Sequence, residues 1–392
     1  MQQPVKKEGT TANAAFDHLA PVYAQFPLEV SRAEGVYLHT PEGRQVLDLY
    51  GGHAVAALGY GHPRWVRALT EQATSLAFQS NAVPLDVRRR AATRLAAFCG
   101  LGLDTIFFVN SGAEANENAL KLAFKSTGAT KVAAIEGSFH GRTAAAGALT
   151  WGAKKKWYGF PQTPFEVQFI PRGDVDAVFK MVDDQTAAVI VEPVQGVAGA
   201  VDLPKPFLEA LRFRCSENGT ILIFDEVQCG MGRVGHPFAA NMYGITPDII
   251  TTAKALGAGF PVSAVLISDH VASCLKTDDL GTTFGGGPMA CAIVETVIDI
   301  IESENLLQNV RERSRQVRDR CLVGPVTGMQ GAGLLLGLRT QRPAKDVQAE
   351  LLKLNILTGT SGDPHIVRIL APFVLQSEHV EQLRDALLRI GA

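Results

Sequence analysis

Residues 221–254 constrain the fold of this chain more than any other stretch. Residues 221–224 form a short apolar run typical of a buried strand, and Asp225 follows directly. A second apolar run, residues 249–253, ends at Lys254. Because the carboxyl ends of parallel strands meet at one edge of a sheet, where ligands bind, we expect Asp225 and Lys254 to face the same crevice.

An amine and a carboxylate at such an edge suit one kind of chemistry. A desolvated lysine is a candidate Schiff-base amine, and a neighbouring carboxylate can keep a pyridinium nitrogen protonated. Pyridoxal phosphate needs both groups, together with a cradle for its phosphate. Taken singly, Asp225 or Lys254 is more simply the polar end of a core strand, so the hypothesis depends on the other motifs.

The composition excludes several other classes of protein. The chain has 392 residues, 46% of them hydrophobic, which is enough for a large core divided into roughly two or three domains. A formal net charge of −2 without a basic stripe predicts no nucleic-acid partner. No apolar run approaches the ~20 residues of a membrane helix, so we expect no membrane segment.

The N-terminus and the cysteines predict the compartment. Residues 1–23 lack the apolar block of a signal peptide. The six cysteines are scattered, and none of them stands in a metal-binding pattern. We therefore expect reduced thiols, no metal site and a cytoplasmic protein.

Strands and helices alternate through the middle of the chain. Apolar runs suited to strands are separated by helical segments, and these runs lie near residues 106–109, 132–135, 187–191 and 221–224. The alternation predicts an α/β fold, with a large domain built on a mostly parallel sheet between helices. The two ends of the chain are expected to form a small α+β domain. The predicted segments are residues 1–50 and 288–392 for the small domain and residues 51–287 for the large one.

A predicted strand and a predicted helix meet at Ser111, Gly112 and Ala113. The start of a helix carries unpaired N–H groups and a positive dipole, and both bind phosphate. Gly112 and Ala113 are small enough to let a phosphate approach the backbone. Alternatively, Ser111 is an ordinary N-cap. No P-loop lysine follows, which argues against a nucleoside triphosphate.

Two further loops carry candidate binding residues. Phe139 could stack on a planar ring, and Arg142 could hold a carboxylate with both arms of its guanidinium. The glycine-rich stretch 281–287 offers the hydroxyls of Thr282 and Thr283 to a phosphate. The simpler interpretation makes Phe139 a core residue, Arg142 a surface ion pair and the glycine-rich stretch a connector.

Together these segments resemble the class III, fold-type I aminotransferases, with the acetylornithine aminotransferases as the most similar group. The resemblance runs from about Gly35 to the C-terminus. Its motifs follow in family order and read Asn110-Ser-Gly-Ala-Glu-Ala, Ser138-Phe-His-Gly-Arg-Thr, Asp225-Glu-Val-Gln-Cys-Gly-Met-Gly-Arg and Ala253-Lys-Ala-Leu-Gly. The resemblance implies pyridoxal phosphate as cofactor and a homodimer with shared active sites.

The resemblance also implies a role for individual residues. Lys254 would bind the cofactor covalently and act as the general base, and Asp225 would pair with the ring nitrogen. Further cofactor contacts are expected from Ser111, Gly112, Ala113, Phe139, Val227, Gln228 and, across the subunit interface, Thr283. Substrate contacts are expected from Arg142, from Arg368 as a second carboxylate-binding arginine and, also across the interface, from Thr282.

The activity implied by the resemblance is transfer of the terminal amine of N-acetylornithine to 2-oxoglutarate. The products would be N-acetylglutamate semialdehyde and glutamate, as in arginine biosynthesis. A broader ω-aminotransferase for diamines, 4-aminobutyrate or a carrier-linked lysine intermediate stays open as an alternative. So do a decarboxylase or epimerase with the same cofactor, and a non-catalytic binding protein.

One position departs from the family pattern. Relatives carry a glutamate directly after Pro193-Val-Gln-Gly, where this chain has Val197. In relatives that glutamate is expected to cover the second arginine, here Arg368, while the donor is bound. The substitution leaves two alternatives: Arg368 stays open, or another acid covers it.

Overall fold

The computed structural model describes residues 18–391, and all elements refer to that part of the chain. The predicted domain start at residue 1 and most of the stretch without a signal-peptide block lie outside the described residues. Within them, none of the helices combines the length and the apolarity that crossing a membrane requires.

The strands are short, and most of those in the middle of the chain are buried. In chain order they are β1 (Arg32–Glu34), β2 (Tyr37–His39), β3 (Gln45–Asp48), β4 (Thr105–Val109), β5 (Lys131–Ile135), β6 (Glu166–Ile170), β7 (Thr186–Val191), β8 (Val194–Gln195), β9 (Val201–Asp202), β10 (Ile221–Asp225), β11 (Ile249–Thr252), β12 (Ser263–Ile267), β13 (Val326–Ala332), β14 (Leu335–Thr340), β15 (Ile356–Leu357), β16 (Gly359–Thr360) and β17 (Ile366–Ile369).

The helices range from one turn to four. In chain order they are α1 (Gly51–Ala54), α2 (Pro63–Ser75), α3 (Asp86–Cys99), α4 (Gly112–Thr127), α5 (Ala144–Ala148), α6 (Ala153–Lys156), α7 (Val175–Met181), α8 (Lys205–Asn218), α9 (Ala239–Tyr243), α10 (Asp269–Ala272), α11 (Pro288–Ser303), α12 (Leu306–Arg320), α13 (Ala344–Lys353) and α14 (Ser377–Ile390), with a short 3-10 helix at Lys254–Leu256.

A seven-stranded sheet in the order β4-β12-β11-β10-β7-β5-β6 forms the centre of the molecule. Its neighbours are parallel except for those of β12, which runs antiparallel to β11 and to β4. The prediction of an α/β fold with a mostly parallel sheet is therefore confirmed.

Helices cover both faces of this sheet, and for that reason its inner strands β7 and β10 are buried along their whole length. Alternate residues of β10 point to opposite sides: Ile221 and Ile223 join one hydrophobic cluster, Leu222 and Phe224 the other. Helix α4 packs on the first side, and helix α8 packs on the second. The sheet edge at the carboxyl end of β10 is thereby held between two rigid layers.

The C-terminal part of the chain has its own sheet, in the order β13-β14-β17-β16, and all its pairs are antiparallel. A second small sheet joins the two ends of the chain, because β15 pairs in parallel with β3. Strand β17 carries Arg368, and β3 leads directly into α1. Elements from both ends of the chain therefore come close to the central sheet.

Candidate active site

The carboxylate and the amine of residues 221–254 lie at the ends of adjacent strands. Asp225 is paired in parallel register with Thr251, and Lys254 follows at the start of the 3-10 helix. Lys254 has a left-handed backbone with φ of 46°, which is unusual for a residue with a long side chain. The two residues therefore open onto the same edge of the sheet.

Electrostatics links the same pair. Burial lowers the pKa of Lys254, and the nearby charges of Asp225 and Glu192 act in the opposite direction. A lysine with a lowered pKa presents the neutral amine that nucleophilic and base chemistry need.

Asp225 is buried, and donors from three directions hold its carboxylate. The side chain of Asn116 donates to Oδ2 at 2.8 Å, and His140 Nδ1 lies 2.7 Å from the same oxygen. The main-chain N–H of Val227 donates to Oδ1 at 3.0 Å. Such a network fixes the orientation of the carboxylate. An acid held in this way can keep a ring nitrogen protonated.

The start of α4 forms a phosphate cradle. Ser111 is the N-cap, and its hydroxyl accepts the N–H of Glu114 at 3.2 Å. The first N–H groups of a helix have no partner within it, so those of Gly112 and Ala113 are available to an anion. A Cβ added at Gly112 would lie 2.7 Å from a methyl carbon of Val227. Gly112 is therefore glycine because Val227 occupies the space beside it.

Phe139 and Arg142 lie together beside this cradle. The main-chain N–H of Phe139 donates to Glu192 Oε1 at 2.8 Å, and the Arg142 guanidinium carbon lies 5.3 Å from the centre of the Phe139 ring. The same guanidinium lies 5.6 Å from the centre of the Trp157 ring. Burial, reinforced by the charge of Asp225, raises the pKa of Glu192 to about 7.

Arg368 approaches from the C-terminal sheet. It is buried, and its guanidinium donates to the main-chain carbonyls of Thr360 at 2.7 Å and Gly196 at 3.1 Å. The main-chain carbonyl of Val197 accepts the N–H of Gly362 at 2.8 Å. In the described part of the chain, no carboxylate forms a salt bridge with Arg142 or Arg368. Among the described residues, main-chain carbonyls and not an acid therefore hold Arg368.

Gln228 lies between Gly196 and the N-terminal part of the chain. Its amide nitrogen donates to the carbonyl of His53 at 3.2 Å, and its amide oxygen is buried without a partner among the described residues. A Cβ on Gly196 would lie 1.6 Å from that oxygen, so only glycine fits there. A buried acceptor without a partner is what a hydroxyl group of a bound molecule would satisfy.

The two threonines of the glycine-rich loop behave differently. Thr282 is half-buried, and its hydroxyl accepts from Asn110 at 3.3 Å and from the N–H of Gly285 at 3.1 Å, both in the same chain. Thr283 is exposed. Their predicted contacts across a subunit interface stay predictions.

The residues brought together here fit pyridoxal phosphate. Four features come together at one edge of the sheet. They are a desolvated lysine, an oriented acid, a helix start where glycine leaves room for an anion, and a buried amide oxygen without a partner among the described residues. These are the groups that the aldehyde, the ring nitrogen, the phosphate and the ring oxygen of this cofactor require.

Sequence reasoning overlooked some residues of the site. Asn116 lies on the buried face of α4, and an amide at that position among alanines was a readable signal. Tyr50 and His53 carry no such signal in the sequence, because the neighbouring Gly51 and Gly52 indicate only the end of a regular element.

Comparison with known proteins agrees with this site. The aminotransferase class-III family matches residues 19–390. An acetylornithine aminotransferase of Methanopyrus kandleri is 41% identical over 379 residues, covering 94% of this chain and 96% of its own. Acetylornithine aminotransferase 1 of Bradyrhizobium diazoefficiens is 39% identical, and the match covers 97% of this chain and 96% of the relative. A solved structure of Toxoplasma gondii ornithine aminotransferase has pyridoxal phosphate at partial occupancy in its active site. It matches with a TM-score of 0.88 at 29% identity, and the match covers 95% of this chain and 91% of that structure.

Proposed function

Since the chain belongs to the class-III aminotransferases, we propose that it moves the terminal amine of N-acetylornithine to 2-oxoglutarate, as in arginine biosynthesis. It is a transaminase that depends on pyridoxal phosphate. The observation that carries the proposal is the parallel register of β10 and β11, because it puts Asp225 and Lys254 at one edge of the sheet.

Pyridoxal phosphate supplies an aldehyde that condenses with amines and a ring that withdraws electrons from the carbon beside the nitrogen. Asp225, fixed by Asn116 and His140, would keep the ring nitrogen protonated. Lys254 Nζ, whose pKa is lowered by burial, would take the proton from the donor carbon and return it to a neighbouring carbon.

The remaining residues would bind and orient. Ser111, Gly112 and Ala113 would hold the phosphate at the start of α4. The Phe139 ring would pack against the cofactor ring, and Gln228 and Val227 would border it from the strand that carries Asp225.

Two arginines without acidic partners suit an acceptor with two carboxylates. Arg142 and Arg368 carry charges that the described part of the chain leaves without a salt bridge, and 2-oxoglutarate bears a carboxylate at each end. Guanidinium groups bind carboxylates with paired hydrogen bonds. The curated relatives favour N-acetylornithine as donor over the diamines and 4-aminobutyrate of a broader ω-aminotransferase.

The test is a panel of amine donors with 2-oxoglutarate, read out by glutamate formation. N-Acetylornithine should give the highest kcat/KM, and Lys254→Ala should lose both the visible absorbance of the bound cofactor and turnover. A wild-type enzyme that prefers 4-aminobutyrate would contradict the proposed donor. Near-normal turnover by Lys254→Ala would contradict the mechanism.

We further propose a cytoplasmic homodimer with shared active sites, in which Thr282 and Thr283 contact the partner's substrate and phosphate. The exposed Thr283 stands next to Phe284, whose side chain is 67% exposed and packs on Phe78. An aromatic pair open to solvent supports a contact with a second copy. The cysteines, all free thiols, support a reducing compartment.

A further inference from the structure

A closed circuit of contacts links Arg368 to the turn of α1 beside the candidate site. Arg368 donates to the carbonyl of Gly196, and Gly196 presses on Gln228, whose amide donates to the carbonyl of His53. The His53 ring meets the hydroxyl of Tyr50, whose oxygen lies 2.6 Å from Nδ1 and 2.7 Å from Nε2. We refer to Tyr50, His53, Gln228, Gly196 and Arg368 as the substrate wall.

The circuit closes through a glycine. A Cβ on Gly359 would lie 2.8 Å from the Tyr50 ring, and Gly359 is the register partner of Arg368 on the neighbouring strand. Tyr50 is therefore held directly beside the strand pair that carries Arg368. The substrate wall thus joins a neutral pair, Tyr50 and His53, to a fixed guanidinium.

An unusual backbone presents His53 to the cleft. The residues of α1 all have a left-handed conformation, with φ between 54° and 70°. For a residue other than glycine this conformation costs roughly 1–2 kcal/mol, so His53 and Ala54 are held there against their preference. In this left-handed turn the His53 ring lies against Tyr50 while its carbonyl accepts the Gln228 amide.

The charges around His53 are mostly positive. Burial lowers the pKa of His53 to about 4, and the charges of Arg368, Lys254 and Arg142 act in the same direction. The carboxylates of this region are engaged: Asp225 binds Asn116 and His140, and Glu192 binds main-chain N–H groups. His53 is thus a neutral hydrogen-bonding group beside guanidinium groups.

We propose that Tyr50 and His53 are specificity-determining residues that bind the amide of an N-acylated donor. The inference rests on the proposed function and names how the donor is selected. Acylation removes the charge of the donor's second nitrogen and puts a hydrogen-bonding amide in its place. A free diamino acid would instead bring an ammonium group beside Arg142 and Arg368, where no unengaged carboxylate of the described residues can pair with it.

The test compares N-acetylornithine with ornithine as donors, with 2-oxoglutarate as acceptor, in the intact holoenzyme. The variants His53→Gly, His53→Asn and His53→Asp all suit a left-handed backbone, and Tyr50→Phe keeps the ring that packs on Gly359. Asn305→Gly is the matched control, because Asn305 is also left-handed, with φ of 53°, at the start of α12. In each variant the absorbance of the bound cofactor should match that of the wild type.

We expect His53→Gly to lower kcat/KM for N-acetylornithine about tenfold, the effect of one or two lost hydrogen bonds, and to leave the KM for 2-oxoglutarate nearly unchanged. His53→Asn should restore part of the loss. His53→Asp should shift the ratio of the two donors toward ornithine by about tenfold or more, because a carboxylate would pair with the free ammonium. Tyr50→Phe should lower kcat/KM for N-acetylornithine and leave kcat/KM for ornithine unchanged.

Each contrary result has a distinct meaning. A donor ratio equal to that of the wild type in His53→Gly, His53→Asp and Tyr50→Phe would overturn the inference alone. A wild-type enzyme that rejects N-acetylornithine would overturn the proposed function and the inference with it. If His53→Asp does not bind the cofactor, the inference is decided by the ratio of kcat/KM for N-acetylornithine to that for ornithine in His53→Asn and Tyr50→Phe.

Discussion

At the scale of single residues, Gly112 has little room for change. A Cβ there would lie 2.7–2.8 Å from both methyl groups of Val227. Gly112→Ala should raise the Kd of pyridoxal phosphate about fivefold or more, because overpacking of this kind costs roughly 1–3 kcal/mol. Titration of the apoenzyme with cofactor, followed by absorbance, measures the change.

A second substitution separates crowding from a general defect. Val227→Ala removes the methyl groups that the new Cβ would meet, so the double variant should recover most of the cofactor affinity. Val227→Ala alone is the control. If the double variant binds the cofactor as weakly as Gly112→Ala, crowding by Val227 is not the reason for the glycine.

Three of the residues predicted from the sequence share one property, because each follows an apolar run or precedes a helix. Asp225, Lys254 and Ser111 stand at such ends, and strand order brings them to one edge. Asn116 could not be assigned to Asp225 in advance, since their contact depends on how α4 lies over the sheet. Tyr50 and His53 depend on a left-handed turn for which glycines are a weak signal.

At the scale of elements, Arg233 ties three segments to the strand that carries Asp225. It is fully buried and donates to the main-chain carbonyls of Ala54, Leu334 and Ala371. Its guanidinium carbon lies 4.6 Å from the centre of the Phe373 ring, and burial lowers its pKa to about 9. The fork of arginine reaches all three carbonyls, which a single ammonium group cannot do.

Arg233→Lys should therefore lower the free energy of unfolding by about 2–4 kcal/mol, because buried carbonyls lose their donor. Urea denaturation measures the change. Arg214→Lys is the control. The Arg214 guanidinium donates to the carbonyl of Val182 with a nitrogen–oxygen distance of 2.9 Å. Losing this hydrogen bond should lower the free energy of unfolding by about 1 kcal/mol or less. Equal stability of Arg233→Lys and the wild type would show that the three segments do not need this cation.

Glu226 holds the start of α9 and gives stability a pH dependence. Its carboxylate accepts the N–H groups of Ala239 and Ala240, and burial raises its pKa from 4.5 to about 7. Because the folded pKa lies above the unfolded one, the contribution is full below about pH 4.5 and is lost as pH rises through about 7. The wild type should lose stability relative to Glu226→Gln across this range.

Urea denaturation of both proteins at several pH values between 4.5 and 8 tests this prediction. Burial also raises the pKa of Glu192, but Glu192 is present in both proteins, so its contribution cancels in the difference between their free energies of unfolding. Two stability curves that run parallel with pH would contradict the raised pKa of Glu226.

The regular elements were readable from the sequence because their apolar periods are strong. The predicted strands near residues 187–191 and 221–224 correspond to β7 and β10, which are buried on both faces. The pairing of β15 with β3 was not readable in detail. Two-residue strands carry no period, and their pairing depends on contacts between distant parts of the chain.

At the scale of the whole molecule, the proposed sharing of each site between two subunits would make activity a property of the pair. Lys254→Ala and Thr283→Ala should each be impaired alone at limiting cofactor. After the two are denatured and refolded together, half of the dimers should carry both subunit types, and one of their two sites should be intact. About a quarter of the wild-type activity should return if the interface is two-fold symmetric.

The control is the same mixture without refolding, in which subunits do not exchange. If refolding the mixture restores nothing while the refolded wild type is active, Thr283 acts within its own subunit or not at all. Sedimentation of each variant shows whether dimers have formed.

The left-handed turn of α1 limits how this enzyme can change. Only glycine, asparagine, aspartate and histidine readily adopt that backbone among residues of modest size. A lineage that exchanges one donor for another at position 53 therefore has few residues to choose from, and of these only aspartate brings a negative charge. Met231 and Lys254 show that this chain can hold larger side chains in the same conformation, so such a side chain at position 53 would carry a cost in stability of roughly 1–2 kcal/mol.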